Sequence, residues 1–319
     1  MKIVLLERLS AGDDMDVSCF EELGEFISYD NTVTVEEVAE RVSDADAIIS
    51  NKAPMNGLSL KDASRVKFIG ELATGYDNCD IEYCRSRGIR VANVRDYSTA
   101  MVAQHTFTLA LTLSQKIVHY DNYVKSGQYA SQQRFSNFDI PFSELDKKTW
   151  GIAGFGNIGS RVAKIAEAFG CRVIVHSFTG SRHDLGYDQV DKETLLRESD
   201  FLSLHCPLSD LSRNFIDKNA LSMMKDSAIL INVARGPVVN NADLYEALVN
   251  GRIAGAGLDV LEKEPISKDN PLGKIKDSGR LIITPHLAWA SVEARKRCID
   301  EVFLNLQAFI RGEERNAVC

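Results

Sequence analysis

Apolar residues in this chain fall into short solid runs, separated by stretches of helical spacing. The runs "KIVLLE" (2–7), "DAIISN" (46–51), "VKFIGELAT" (66–74) and "IRVANV" (89–94) have strand length and are rich in Val and Ile. Between them, "TVEEVAERVSDA" sets Val35, Val38, Val42 and Ala45 near one helical face. "DIEYCRSRG" predicts a short helix that stops at Gly88. Strands alternating with helices predict a parallel sheet covered on both faces. A long helix is expected from about Thr99 to Ser126, and "QQRFSNFDIPFSELDKK" has no period and predicts a loop.

A second series of the same kind opens at "TWGIAGFGNIGSRVAKIAEAFG" (149–170). It continues through "CRVIVHS", "FLSLHCP", "AILINVA", "IAGAGLDV" and "LIITPH", and the tail "SVEARKRCIDEVFLNLQAFIRGE" predicts an amphipathic helix. The fold class is therefore α/β, with two doubly wound parallel-sheet domains. The chain is expected to cross from one to the other near residue 100 and to return near residue 290. One domain then holds residues 1–99 plus 290–319, and the other holds residues 100–289.

A length of 319 residues suits two domains rather than one small core. The net charge of -8 argues against a nucleic-acid surface. The most apolar long segment, residues 101–118, contains Gln104, His105, Gln115 and Lys116, so it reads as a buried helix rather than a membrane span. The opening "MKIVLLE" reads as a buried strand rather than a signal peptide. The seven cysteines are scattered with no CxxC pair, which predicts reduced thiols in a cytoplasmic protein and no metal site.

Gly154-Phe-Gly156-Asn157-Ile158-Gly159 fits the G-x-G-x-x-G turn that binds dinucleotides, and it lies between a strand and a helix. Gly154 permits the tight turn, Gly156 lets a pyrophosphate approach the backbone, and Gly159 lets the helix pack close to the strand. The helix N-terminus offers free N–H groups to the phosphates. On this helix Ile158, Val162, Ile165, Ala166 and Phe169 are expected to face the core. The next strand should end in an acid that bonds the adenosine ribose, but the tip reads His176-Ser177. Without that acid a 2′-phosphate is not repelled, and Arg182, with His176, could hold it. The tip therefore leans toward NADP(H), or toward use of both NAD and NADP.

Three polar residues stand where buried strands end. Arg235 follows "ILINVA", Glu264 follows "GAGLDVLEK", and His286 follows "LIITP". Ligands of an open parallel sheet bind at the carboxyl ends of its strands. Reduction of a 2-oxo acid needs this set. Arg grips the carboxylate in a bidentate fork. His, with an ordinary pKa of about 6.5, protonates the developing alkoxide. A carboxylate on the far ring nitrogen orients the imidazole.

These motifs, with "LSLHCPLSDLSRNFID" and "ITPHLAWAS", resemble the D-isomer-specific 2-hydroxyacid dehydrogenase family over nearly the whole chain. The resemblance implies two Rossmann-like domains with a cleft between them and a homodimer built through the cofactor domain. It implies Arg235 as substrate binder, His286 as acid/base and Glu264 as its partner. It further implies cofactor contacts at Cys206, Pro207, Val233, Ala234, Asp259 and Ala288. In "ELATGYDNCD", backbone N–H groups around Thr74 and Gly75 would hold the substrate carboxylate, and Lys52 of "SNKAP" would reach the same cleft. "SNKAP", "LATGYDN" and "HLAWASVEAR" are most similar to the glycerate dehydrogenase (hydroxypyruvate reductase) branch. The expected reaction is hydride transfer between NAD(P)H and C2 of a small 2-oxo acid, with hydroxypyruvate or glyoxylate ahead of lactate-type and bulkier acids. A dinucleotide-sensing regulator on the same fold is the rival reading, and the intact Arg235, Glu264 and His286 set argues against it.

Overall fold

The structure is a computed structural model that describes residues 1–180 and 186–319. The chain forms two compact units, residues 1–98 with 290–319 and residues 99–289. The first unit holds β1 (Lys2–Leu5), β2 (Glu25–Ser28), β3 (Ala47–Ser50), β4 (Phe68–Glu71) and β5 (Arg90–Ala92). Their order is β2-β1-β3-β4-β5, and every pair is parallel. β2, "EFIS", was not foreseen, because a half-exposed edge strand with two apolar residues makes no solid run. The helix Val292–Ile310 closes this unit, setting Phe309 5.1 Å from Phe68 and Phe303 6.2 Å from Phe20.

The second unit holds β6 (Thr149–Ala153), β7 (Arg172–His176), β8 (Asp188–Gln189), β9 (Phe201–Leu204), β10 (Ile229–Asn232), β11 (Gly255–Leu258) and β12 (Leu281–Ile283). Their order is β12-β11-β10-β9-β6-β7-β8, again parallel throughout. β9, β10 and β11 are buried at every position, which is why they read as solid apolar runs. Asp191, Asp217 and Asn240 each cap a following helix by accepting a backbone N–H. Trp150 is fully buried between Phe107 at 4.5 Å and Phe201 at 5.1 Å, and its Nε1 donates to Ser203 Oγ at 2.9 Å. Among the described residues no helix is long and apolar enough to cross a membrane.

Two expectations need correction. The helix expected over 99–126 is two helices, Thr99–Ser114 and Ile117–Lys125. Lys116 breaks it with a left-handed backbone (φ 55) while its Nζ donates to Gly279 O at 2.9 Å. No Gly or Pro marks the place, so the pattern hides it. Phe169 is 44% exposed rather than buried, because it stacks on Phe107 from the rim of the core.

The strand order of the first unit reverses between β1 and β3, and Glu7 stands at that crevice, just past β1. It is only 4% exposed. Its Oε2 accepts from Ser50 Oγ at 3.0 Å and Asn51 N at 3.0 Å, and its Oε1 from Lys52 N at 2.6 Å and Ala53 N at 2.5 Å. One side chain thus sets the loop after β3. Glu7→Ala leaves those donors without an acceptor where water does not reach, and should lower the unfolding free energy in urea by about 2–5 kcal/mol. A loss below about 1 kcal/mol would show that the loop holds itself.

Candidate active site

The strand order of the second unit reverses between β6 and β9, and the glycine turn follows β6 at that point. Gly154 takes φ +92, and a Cβ there would lie 2.7 Å from Cys206 N. Gly159 sits in the first turn of the helix Asn157–Ala168, where a Cβ would lie 2.3 Å from Gly154 O. Beside Gly156 there is open space. The turn is therefore packed tightly on the protein side and bare where a phosphate would approach, with the free N–H groups of a helix start beside it. Asn157 is the first helical residue, and Ile158 is half-buried behind it. These features fit a dinucleotide.

Ser177 follows β7 half-buried, with its Oγ 3.2 Å from Thr179 Oγ1. His176 donates from Nδ1 to Val190 O at 3.1 Å, and its ring stacks on Phe215 at 5.4 Å. Arg182 lies outside the described residues.

Arg235, Glu264 and His286 follow β10, β11 and β12, three adjacent strands of one sheet. His286 Nδ1 donates to Glu264 Oε2 at 2.6 Å, and Glu264 Oε1 accepts from Leu261 N at 2.9 Å. The carboxylate is thereby aimed from both sides, and the Nε2 edge of the ring faces away from it. Both side chains are about one-third exposed, at 30% and 35%, so a substrate can reach them. Arg235 is half-buried, and its Nη1 donates to Ala234 O at 2.9 Å. Its loop lies against the Glu264 loop, since a Cβ on Gly236 would fall 1.8 Å from Leu261 O. Asn241 N also donates to Glu262 Oε1 at 2.9 Å across the same seam.

His286 has φ 55, which a residue other than glycine adopts only when its surroundings hold it there. Asp259 supplies much of the hold. Its carboxylate is 1% exposed and accepts from Thr284 Oγ1 at 2.6 Å, Leu287 N at 2.9 Å and Ala288 N at 2.8 Å. Its carbonyl accepts from His286 N at 2.9 Å. The expected cofactor contacts at Asp259 and Ala288 thus fall on groups already engaged in fixing this turn. Cys206, Val233 and Ala234 are buried at the ends of β9 and β10, and Pro207 is exposed beside them. Burial pushes the Cys206 thiol up to about 11, so it stays protonated and unreactive. In the first unit, Lys52 and Thr74 are exposed and Gly75 is half-buried. Thr74 Oγ1 donates to Val94 O at 2.7 Å, and Asn93 Nδ2 donates to Thr74 O at 2.7 Å.

Residues 107–288 match the model of the NAD binding domain of D-isomer specific 2-hydroxyacid dehydrogenases. The chain belongs to this family. It is an NAD(P)-dependent D-2-hydroxyacid dehydrogenase. It is 39% identical to the hydroxypyruvate reductase of Blautia hydrogenotrophica, over 100% of this chain and 99% of that protein. It is also 39% identical to the glycerate dehydrogenase of Methylorubrum extorquens, over 99% of this chain and 98% of that one. Among solved structures, the NADPH-dependent glyoxylate/hydroxypyruvate reductase of Sinorhizobium meliloti, in complex with NADP and malonate, superposes with a TM-score of 0.85. It is 27% identical and is covered over 96% of its length by 100% of this chain.

The dehydrogenase also uses residues that the sequence did not single out. His105 Nε2, 3.0 Å from Thr284 Oγ1, donates to that hydroxyl, which in turn donates to Asp259. A chain of two hydrogen bonds therefore runs from the helix Thr99–Ser114 to the turn at His286. Burial lowers the affinity of His105 for a proton against the opposing pull of Asp259. The neutral imidazole suits its place as a single donor. A His in an apolar helix was a visible signal, but nothing in its spacing tied it to Thr284.

Gly236→Ala should force apart the loops carrying Arg235 and Glu264, because the added methyl meets backbone rather than a movable side chain. We expect kcat/KM to fall about 10²-fold while cofactor affinity changes less than threefold. An unchanged kcat/KM would mean that the two loops need not touch.

Proposed function

We propose that the enzyme reduces hydroxypyruvate or glyoxylate to the D-2-hydroxy acid. The observation that carries the reading is the 2.6 Å bond between His286 Nδ1 and Glu264 Oε2 at the ends of adjacent strands. A nicotinamide cofactor on the Gly154–Gly159 turn would supply the hydride. Arg235 grips the substrate carboxylate in a bidentate fork. For the first unit, N–H groups around Thr74 and Gly75, with Lys52, are the proposed contacts for a carboxylate. His286 delivers a proton from Nε2 to the carbonyl oxygen, and Glu264 holds the imidazole through Nδ1 and offsets the imidazolium charge. Substrate choice follows the hydroxypyruvate and glycerate relatives, which match this chain from end to end. The seven free cysteines suit a reducing cytoplasm.

Ser177 in place of an acid favours NADP(H), or use of both dinucleotides, because no carboxylate at that position repels a 2′-phosphate. The assay is oxidation of NADPH and of NADH with hydroxypyruvate, run in parallel. We expect turnover with both and the higher kcat/KM with NADPH. His286→Ala should lose about 10²–10⁴-fold in kcat and keep its affinity for the cofactor. Activity unaffected by that change would remove the proton-transfer role, and a clear preference for NADH would make Ser177 a ribose partner.

We also propose a homodimer through the second unit. Phe135, Phe138 and Phe142 are 89%, 73% and 53% exposed within ten residues of loop, and Ile117 and Val124 on the helix Ile117–Lys125 are exposed too. A second copy would cover these apolar side chains. Sedimentation should give a dimer for the wild type and a monomer for Phe135→Glu with Phe138→Glu. A monomeric wild type would remove the assignment.

A further inference from the structure

The loop 73–79 leaves the end of β4, and its first residues are held by the chain that leaves β5. Val94 N donates to Ala73 O at 2.9 Å. Asn93 Nδ2 donates to Thr74 O at 2.7 Å, and Thr74 Oγ1 donates to Val94 O at 2.7 Å. Two successive carbonyls are thus turned toward one pair of residues. Both peptides are trans, and the N–H of a trans peptide points opposite to its carbonyl. The N–H groups of Thr74 and Gly75 therefore point together, away from Asn93 and Val94. Neither donates to a partner among the described residues. Successive N–H groups on one side of a bend form a concavity suited to an anion. They stand beyond the carboxyl end of β4, on the edge where parallel sheets bind ligands. The far leg of the loop is held separately, by Asn78 Nδ2 donating to Ala53 O at 3.0 Å and to the buried Glu71 Oε1 at 3.2 Å.

Val94 acts through its backbone, which nearly any residue offers. The bond to Thr74 O depends on an amide at position 93. Asn93 is buried, and its Oδ1 is buried too and accepts nothing among the described residues. Reversing the amide would set Oδ1 against Thr74 O, acceptor against acceptor. Only the donor end of this side chain is used, and a buried acceptor left without a partner is uncommon where a residue merely fills space. The backbone of Asn93 is fixed in turn by the far end of the unit. Its N donates to Asn316 O at 3.3 Å, its O accepts from Asn305 Nδ2 at 3.0 Å, and Asn316 Nδ2 donates to Asn305 Oδ1 at 3.0 Å. Asn305 lies buried on the helix Val292–Ile310. The amide that turns Thr74 is thus anchored on both sides of its own backbone.

We infer that Asn93 is a positioning residue for substrate binding: by holding Thr74 O it aims the N–H groups of Thr74 and Gly75 at the substrate carboxylate. The inference rests on the proposal that this loop takes the carboxylate. Asn93 itself touches no reacting atom. The carboxylate keeps its charge throughout the reaction, so its N–H contacts serve substrate and transition state alike. Loss of the amide should therefore raise KM and leave kcat in place.

The test is Asn93→Leu, which keeps nearly the shape of the side chain and removes both its donor and its unpaired acceptor. At saturating reduced cofactor we expect the KM for hydroxypyruvate to rise about 10-fold to 100-fold, the effect of one lost hydrogen bond to an anion, with kcat changed less than about twofold. An unchanged KM would mean that the loop turns its own peptides. A kcat that falls as far as KM rises would mean general disorder rather than lost aim. Either result overturns the inference. Amide NMR spectra separate it from the loop reading. With oxidised cofactor bound, hydroxypyruvate near the wild-type KM should move the N–H signals of Thr74 and Gly75 in the wild type and leave them nearly still in Asn93→Leu. No movement in the wild type would reject the loop as the carboxylate site, and the inference with it. Equal movement in both proteins would reject Asn93 alone. Should Asn93→Leu not fold, Asn93→Ala enters the same two measurements. If neither variant folds, the amide is a folding element and the inference falls.

Discussion

The buried carboxylate of Asp259 is the contact on which the chemistry of the second unit depends. It accepts the Thr284 hydroxyl and the N–H groups of Leu287 and Ala288, and its own carbonyl takes the N–H of His286. The backbone of His286 is thereby held in a left-handed conformation that an ordinary residue seldom adopts. That conformation lets Nδ1 meet Glu264 at 2.6 Å. The strain at one residue is offset by a carboxylate whose hydrogen bonds are made inside the protein, and which water does not reach.

A second constraint comes from parallel strands. All their carboxyl ends emerge on one edge, so the following loops crowd one another. Glycine relieves the crowding at two places. At Gly154 the turn lies against the backbone of His205 and Cys206, and at Gly236 the Arg235 loop lies against Leu261. The first contact leaves the opposite face of the turn bare for a phosphate. The second brings an arginine and a carboxylate–histidine pair onto neighbouring strand ends. Close backbone packing and an open ligand face are two sides of the same arrangement.

Much of this was legible in the sequence, and for physical reasons. β9, β10 and β11 are buried on both faces, so their solid apolar runs announced them. The glycine spacing announced the turn, and Arg235, Glu264 and His286 stood out as polar residues in the segments that follow strand-like runs. What stayed hidden depended on contacts distant in sequence. His105 and Thr284 are 179 positions apart. Glu7 and Glu71 look like ordinary strand-end acids until the fold brings them beneath two loops. The break at Lys116 leaves no mark because no helix breaker stands there, and β2 is too exposed to carry a pattern.

The interrupted first unit has a consequence for how the protein is made. Residues 99–289 form their sheet from one continuous stretch, so that unit can fold as soon as its own chain is complete. The first unit cannot. Its β4 waits for Phe309, and Asn93 O waits for Asn305, 212 positions later. Arg297 must likewise return to Tyr97 O across 200 positions. During synthesis the inner face of the first sheet therefore stays uncovered until the final helix arrives, while the inserted unit is already formed. The order of assembly runs against the order of the sequence, with the unit that starts first finishing last.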